Sequence, residues 1–195
     1  MILKHTDCLM DYGCEALGKT YKEIRVCELG DQKMIKGNPI RTCKALLMNR
    51  GVIEHVSIDW NGKHGALKMD LAEPITKWKN YFDMVTNYGT TEHVLGGQYE
   101  AFQNIHNFTK VGGAMIHCIP MVGYFKRHCR YHYYPDFATV LAEENGYDCY
   151  FNDKINVHRT RDEFLLSAVL VKKNNDDFMT QADFNNMGKI KGLEV

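Results

Sequence analysis

The 195-residue sequence carries no excess charge of either sign, with Lys+Arg and Asp+Glu at 24 each. Sequence-independent binding to a polyanion needs a basic surplus or stripe, so the balance argues against nucleic acid as a partner. Long apolar runs are missing too. The stretch Gly113 to Pro120 falls far short of the roughly 20 residues that span a bilayer, and no membrane insertion is expected. The opening residues Met1 to Asp7 meet charge too early for a secretory signal. Cys-x-x-Cys pairs are also absent, and the seven cysteines, an odd number, are scattered at positions 8, 14, 27, 43, 118, 129 and 149. That pattern suits reduced thiols better than a disulfide framework and gives the expectation of a cytoplasmic protein.

Hydrophobic residues at 45% and charged residues at 25% are ordinary for a globular chain. The length suffices for one domain with a substantial core and is short for two. Five short β-rich runs end at turn residues or acids: Ile24–Gly30, Glu54–Asp59, Ala66–Asp70, Tyr81–Asn87 and Ala114–Pro120. Runs of this kind read as buried strands of a parallel sheet. Helical spacing predicts helices over Pro39–Asn49, Tyr99–Lys110 and Pro135–Asn145, the first opening on a proline and closing before Gly51. Strands alternating with helices define an α/β, doubly wound, mostly parallel sheet in three layers. Two later runs, Tyr147–Phe151 and Phe164–Val171, are too close together for a crossover and predict an antiparallel closing pair. The domain is expected to cover residues 1–172, with a helical extension over 1–23, and 173–195 reads as a polar, solvated tail.

Ligands of doubly wound sheets sit outside the carboxyl ends of the strands, at the point where strand order reverses. Three acids fall at such ends: Glu28, Asp59 and Asp70. A carboxylate after the second strand suits both hydroxyls of a ribose, and one after the third suits the exocyclic amine of an adenine, since ionised Asp only accepts hydrogen bonds. Each acid alone is equally consistent with a turn or helix cap.

The stretches Val26–Gln32, Val56–Asp59, Phe82–Val94 and Phe108–His117 resemble class I S-adenosylmethionine (SAM)-dependent methyltransferases over residues 20 to 172. His132 to Phe137, followed by Asn145-Gly146-Tyr147, is similar to small-molecule or sugar methyltransferases. The resemblance implies a Rossmann-like fold, with SAM as cofactor and S-adenosylhomocysteine as product. It implies cofactor contacts from Glu28, Gly30, Asp31, Gln32, Asp59, Trp60, Asp70, Leu71, Asn87 and Tyr88. The family's glycine-rich loop is altered, since Gln32 and Met34 stand where two of its three glycines fall. Those glycines allow close backbone approach to the cofactor. A longer loop through Gly37 and Asn38 is expected to make up the contacts.

On the acceptor side, a methyl-accepting hydroxyl needs a base, and a neutral His suits that role near pH 7. His93, with Glu92 beside it, and His132 are the catalytic candidates; helix capping and packing explain Glu92-His93 equally well. The aromatic and basic stretch Tyr124–Tyr134 is placed to grip a small-molecule or sugar acceptor. His117 reads as a core histidine. His128, Cys129 and His132 have no second Cys/His pair at ligand spacing, so no metal is expected there. A homodimer in which a second copy completes the acceptor site is a further expectation. The competing readings are a non-catalytic module of the same fold, favoured by the altered loop, and an NAD-type oxidoreductase, disfavoured by the missing G-x-G-x-x-G.

Overall fold

A computed structural model describes residues 4–34, 39–158, 160 and 162–192. In chain order the helix α1 (Lys4–Leu17) precedes β1 (Arg25–Leu29), α2 (Cys43–Arg50), β2 (Glu54–Asp59), β3 (Leu67–Lys68) and β4 (Phe82–Tyr88). Then come α3 (Gln98–Phe108), β5 (Thr109–Pro120), β6 (Tyr131–Tyr133), α4 (Phe137–Asn145), β7 (Tyr147–Asn156), β8 (Phe164–Lys172), α5 (Gln181–Asn186) and β9 (Ile190–Gly192). The main sheet has the order β3-β2-β1-β4-β5-β8-β7. Its first five strands are parallel, and β8 lies antiparallel between β5 and β7. The doubly wound sheet and its antiparallel closing pair are thus as the sequence predicts.

Both faces of the sheet are covered, which is why β4 is buried along its whole length. Successive side chains alternate between the two faces. In β1, Cys27 and Leu29 join Phe102, Phe137 and Leu141 under α3 and α4, whereas Val26 joins Leu9 and Leu47 under α1 and α2. Glu28 shares the parity of Val26 and therefore points to the α2 side. The chain runs outward from β1 to β3 and returns to β4 on the other side of β1, so the strand order reverses between β1 and β4.

Several element boundaries differ from the sequence reading, β5 among them, which starts at Thr109 rather than Ala114 and so ends α3 at Phe108. The helix expected from Pro39 begins at Cys43, because Thr42 is its N-cap, its side chain accepting from Ala45 N. An isolated antiparallel bridge holds Thr42 against Lys33. The third strand shrinks to Leu67–Lys68, leaving Asp70 in the turn beyond. β7 runs five residues further than expected and follows β8 throughout, with a register shift between Cys149 and Phe151; its other edge pairs with no strand among the described residues.

The reading of residues 173 onward as a solvated tail is corrected. Phe178 and Phe184 are buried, Phe184 with its ring 5.8 Å from those of Phe102 and Tyr99. β9 pairs antiparallel with β6. The polar residues around the two phenylalanines hide an anchor that local pattern does not reveal.

Candidate functional site

The loops after β1, β2 and β4 enclose a cleft of about 570 Å³. Its walls include Gly30, Asp31 and Gln32 from the first loop, Ile58, Asp59 and Trp60 from the second, and Met69, Asp70 and Leu71 beyond β3. Gly89, Thr90, His93, Val94 and Leu95 complete it after β4. This is the switch point of the sheet, where the open end between diverging loops leaves room for a ligand.

The first loop is laced to its neighbours. Gly30 N donates to Ile58 O at 2.7 Å, and Ser57 Oγ donates to Gly30 O at 3.0 Å. Gln32 Nε2 donates to Leu29 O at 3.3 Å and to Thr90 Oγ1 at 3.1 Å. Thr90 Oγ1 in turn donates to Leu29 O at 2.7 Å. Gly30 has φ +82°, and a Cβ there would stand 2.7 Å from both Gln32 Nε2 and Thr90 Oγ1. A glycine at this position is therefore required by its conformation. The amide of Gln32 packs into the hollow that the missing side chain leaves. The expected detour through Gly37 and Asn38 lies outside the described residues.

Asp59 is fixed by two backbone donors, Asp31 N to Oδ2 at 3.1 Å and Asn61 N to Oδ1 at 2.9 Å. Each oxygen keeps a lone pair for another donor. Asp70 accepts from Ala72 N at 2.9 Å, which turns the chain back into the wall. His64 Nδ1 pairs with Asp31 Oδ2. Trp60 is 75% exposed and Leu95 58%, two apolar side chains left open to solvent beside the cleft.

His93 lines the cleft with its side chain 48% exposed. Burial, together with nearby His128, lowers its pKa and keeps the ring neutral. The rings of His93 and His128 are 5.5 Å apart. Glu92 is buried. Desolvation pushes its carboxyl up to about 7, and Oε2 has no hydrogen-bond partner. Its Oε1 stands 3.8 Å from His93 Nε2, beyond hydrogen-bond reach.

Seven of the cofactor candidates meet on these walls: Gly30, Asp31, Gln32, Asp59, Trp60, Asp70 and Leu71. Glu28, Asn87 and Tyr88 do not. Glu28 lies behind the loop, accepting from Gln32 N at 3.1 Å. Asn87 is buried, its Nδ2 donating to Thr91 Oγ1 at 2.9 Å and its Oδ1 accepting from Thr91 N at 3.2 Å. It shapes the turn that carries His93. Tyr88 packs into the core under α1 and α2. Among the catalytic candidates, His132 is buried away from these walls, with Nε2 3.4 Å from Phe125 O and 3.5 Å from Cys129 Sγ. Gly89, Thr90, Val94 and Leu95 were not singled out in the sequence. The signal available was Gly89, a turn residue with φ +68° at the end of the fourth strand.

This topology and cleft define the class I methyltransferase fold, and the chain has that fold. No family model and no curated protein matches the chain. Among solved structures, the 1,6-didemethyltoxoflavin-N1-methyltransferase of Burkholderia thailandensis, with bound 1,6-didemethyltoxoflavin and S-adenosylhomocysteine, is similar at TM-score 0.58 and 12% identity, over 88% of this chain and 79% of that one. A SAM-dependent methyltransferase from Mesorhizobium loti aligns at TM-score 0.57 and 11% identity, over 80% and 94%. The N-methyltransferase NodS from Bradyrhizobium japonicum aligns at TM-score 0.55 and 11% identity, over 88% and 96%. At such identities the likeness is one of fold.

Proposed function

We propose that the chain is a SAM-dependent methyltransferase acting on a hydroxyl or amine of a small molecule or glycan end group. The observation that carries this reading is the convergence of Gly30, Asp59 and Asp70 on one cleft at the switch point of the sheet. The residues present fit an adenosine-type cofactor. The cleft volume lies within the range of small-molecule sites, and the acceptor-only carboxylates of Asp59 and Asp70 stand on its wall beside that of Asp31.

In this reading Asp59 accepts from the ribose hydroxyls and Asp70 from the adenine amine, and Trp60 and Leu95 cover the apolar faces. Bound SAM supplies an electrophilic methyl group on a sulfonium. His93, neutral near pH 7, accepts the acceptor's proton. His128 and the stretch after it border the acceptor space. The solved neighbour that holds 1,6-didemethyltoxoflavin supports the small-molecule acceptor class.

A non-catalytic module of the same fold is the second reading, favoured by the Gln32 amide that fills the hollow over Gly30. Titration calorimetry with SAM, S-adenosylhomocysteine and NAD separates the readings. Saturable heat from the first two and none from NAD is expected, with Asp59→Ala weakening S-adenosylhomocysteine binding more than tenfold. No binding by either sulfur ligand overturns the enzyme reading. An unchanged affinity in Asp59→Ala removes Asp59 from the ribose site.

A further inference from the structure

On the α2 side of the sheet, behind the loop that follows β1, three side chains with metal-binding atoms converge. Glu28 at the end of β1, Cys43 in the first turn of α2 and His55 in β2 each offer one ligand atom, all within 4.8 Å of one another. The sequence explains the meeting. Val26 and His55 are register partners in adjacent parallel strands, and Glu28 follows Val26 by two residues, so Glu28 and His55 leave the same face. Cys43 is set over them because its N–H donates to Gln32 O at 3.0 Å, while Gln32 N donates to Glu28 Oε1 at 3.1 Å. The His55 and Glu28 side chains are 0% and 2% exposed, and Cys43 is fully buried.

His55 supplies a second, independent observation. Its Nε2 stands 2.9 Å from Glu28 Oε2, yet neither ring nitrogen has a hydrogen-bond partner. In a plain Glu–His ion pair the Nε2–H would aim at the carboxylate. Here it does not, and leaving buried imidazole nitrogens unsatisfied costs about 1–3 kcal/mol. A carboxylate oxygen and an imidazole nitrogen side by side, with no aligned hydrogen bond between them, suit a cation placed against both.

We propose that Glu28, Cys43 and His55 form a binding site for a divalent transition metal of borderline softness, zinc foremost. Thiolate and carboxylate together cancel the charge of the ion, so a buried site is neutral overall. A sulfur and an imidazole ligand select against magnesium and calcium, which take oxygen. Zinc–ligand bonds of about 2.0–2.3 Å set tetrahedral ligand atoms roughly 3.5 Å apart, so the Glu28–His55 pair parts slightly from 2.9 Å and the widest separation closes by about 1 Å, within the reach of side-chain rotation. Water takes the fourth position. Glu28 then bridges, one oxygen on the metal and the other on Gln32 N, and the ion ties the glycine-poor loop and the start of α2 to β1 and β2. This site is distinct from the His128, Cys129 and His132 group, and it does not depend on the methyl-transfer reading.

The test is titration of Co²⁺ into the metal-free wild-type chain. One equivalent is expected to bind with thiolate-to-cobalt charge-transfer absorption in the near ultraviolet, to raise the melting temperature, and to be displaced by Zn²⁺. Cys43→Ser abolishes the charge-transfer band and weakens Co²⁺ binding at least tenfold, whereas Cys129→Ser keeps both. Circular dichroism checks that each variant folds. Should Cys43→Ser fail to fold, X-ray absorption of the zinc-loaded wild type decides, the expected shell being one sulfur with nitrogen and oxygen. Absence of Co²⁺ binding, a band that survives Cys43→Ser or vanishes in Cys129→Ser, or a zinc shell without sulfur overturns the site.

Discussion

Glu92 sits one residue from the wall of the cleft with its carboxyl out of water, and that placement makes its charge state a property of the fold. The carboxyl titrates near 4.5 in an unfolded chain and is pushed up to about 7 in the folded one. The folded state therefore holds a proton that the unfolded state has lost across this window. The resulting stabilisation is full below pH 4.5 and fades as pH rises through 7. Glu92→Gln keeps the shape without the ionisation, so it is expected to gain stability relative to wild type as pH rises from 4.5 to 7, by roughly 3 kcal/mol in all, at about 1.4 kcal/mol per unit. Denaturant melts of both chains at pH 5 and pH 8 measure this. A stability difference independent of pH would show that Glu92 is solvated. At this scale the position of Asp59 was legible, since it ends β2, whereas Asp70 lies beyond a strand that stops at Lys68. The sequence was misleading for Glu28, because nothing local says which face a strand-end residue takes. Side-chain parity, fixed by the neighbours of β1, turns Glu28 toward α2 and leaves the cleft to Gly30 and Asp31.

Between elements, the turn after β3 lies close against the start of α3 beside the cleft. Gly97 caps α3, and a Cβ on it would lie 2.4 Å from Ala72 Cα, a backbone atom with no rotamer to escape into. Ala72 N holds the Asp70 carboxylate. Gly97→Ala is therefore expected to push the turn away, costing about 1–3 kcal/mol of stability and weakening S-adenosylhomocysteine binding several-fold through Asp70. Calorimetry beside a thermal melt tests it; if both stay at wild-type values, the turn yields freely and the contact does not position Asp70. The strands of the sheet were readable from short apolar runs alone. The start of α2 was not, since Pro39 pointed to an earlier start than the one that the Thr42 cap on Ala45 N sets.

Across the whole molecule, the C-terminal segment belongs to the core. Phe184 packs against Phe102, Tyr99 and Phe178, so Phe184→Ala is expected to cost about 3–5 kcal/mol and to open residues 173–192 to protease before the sheet unfolds. Limited proteolysis followed by mass spectrometry reads this, and cleavage no faster than in wild type would show the segment held by β9 alone. The sequence hid this anchor because isolated phenylalanines among Asn and Asp carry no periodicity, and their partners on α3 lie some 80 residues away. The sheet also ends very differently at its two sides. β3 is two residues long, whereas β7 offers ten residues whose outer backbone groups pair with no strand among those described. Such an edge is a template for strands of other copies in a crowded solution. The register shift at Cys149/Phe151 and the charges of Asp148, Asp153 and Lys154 interrupt that template, so the edge resists the stacking by which sheet proteins begin to form fibrils.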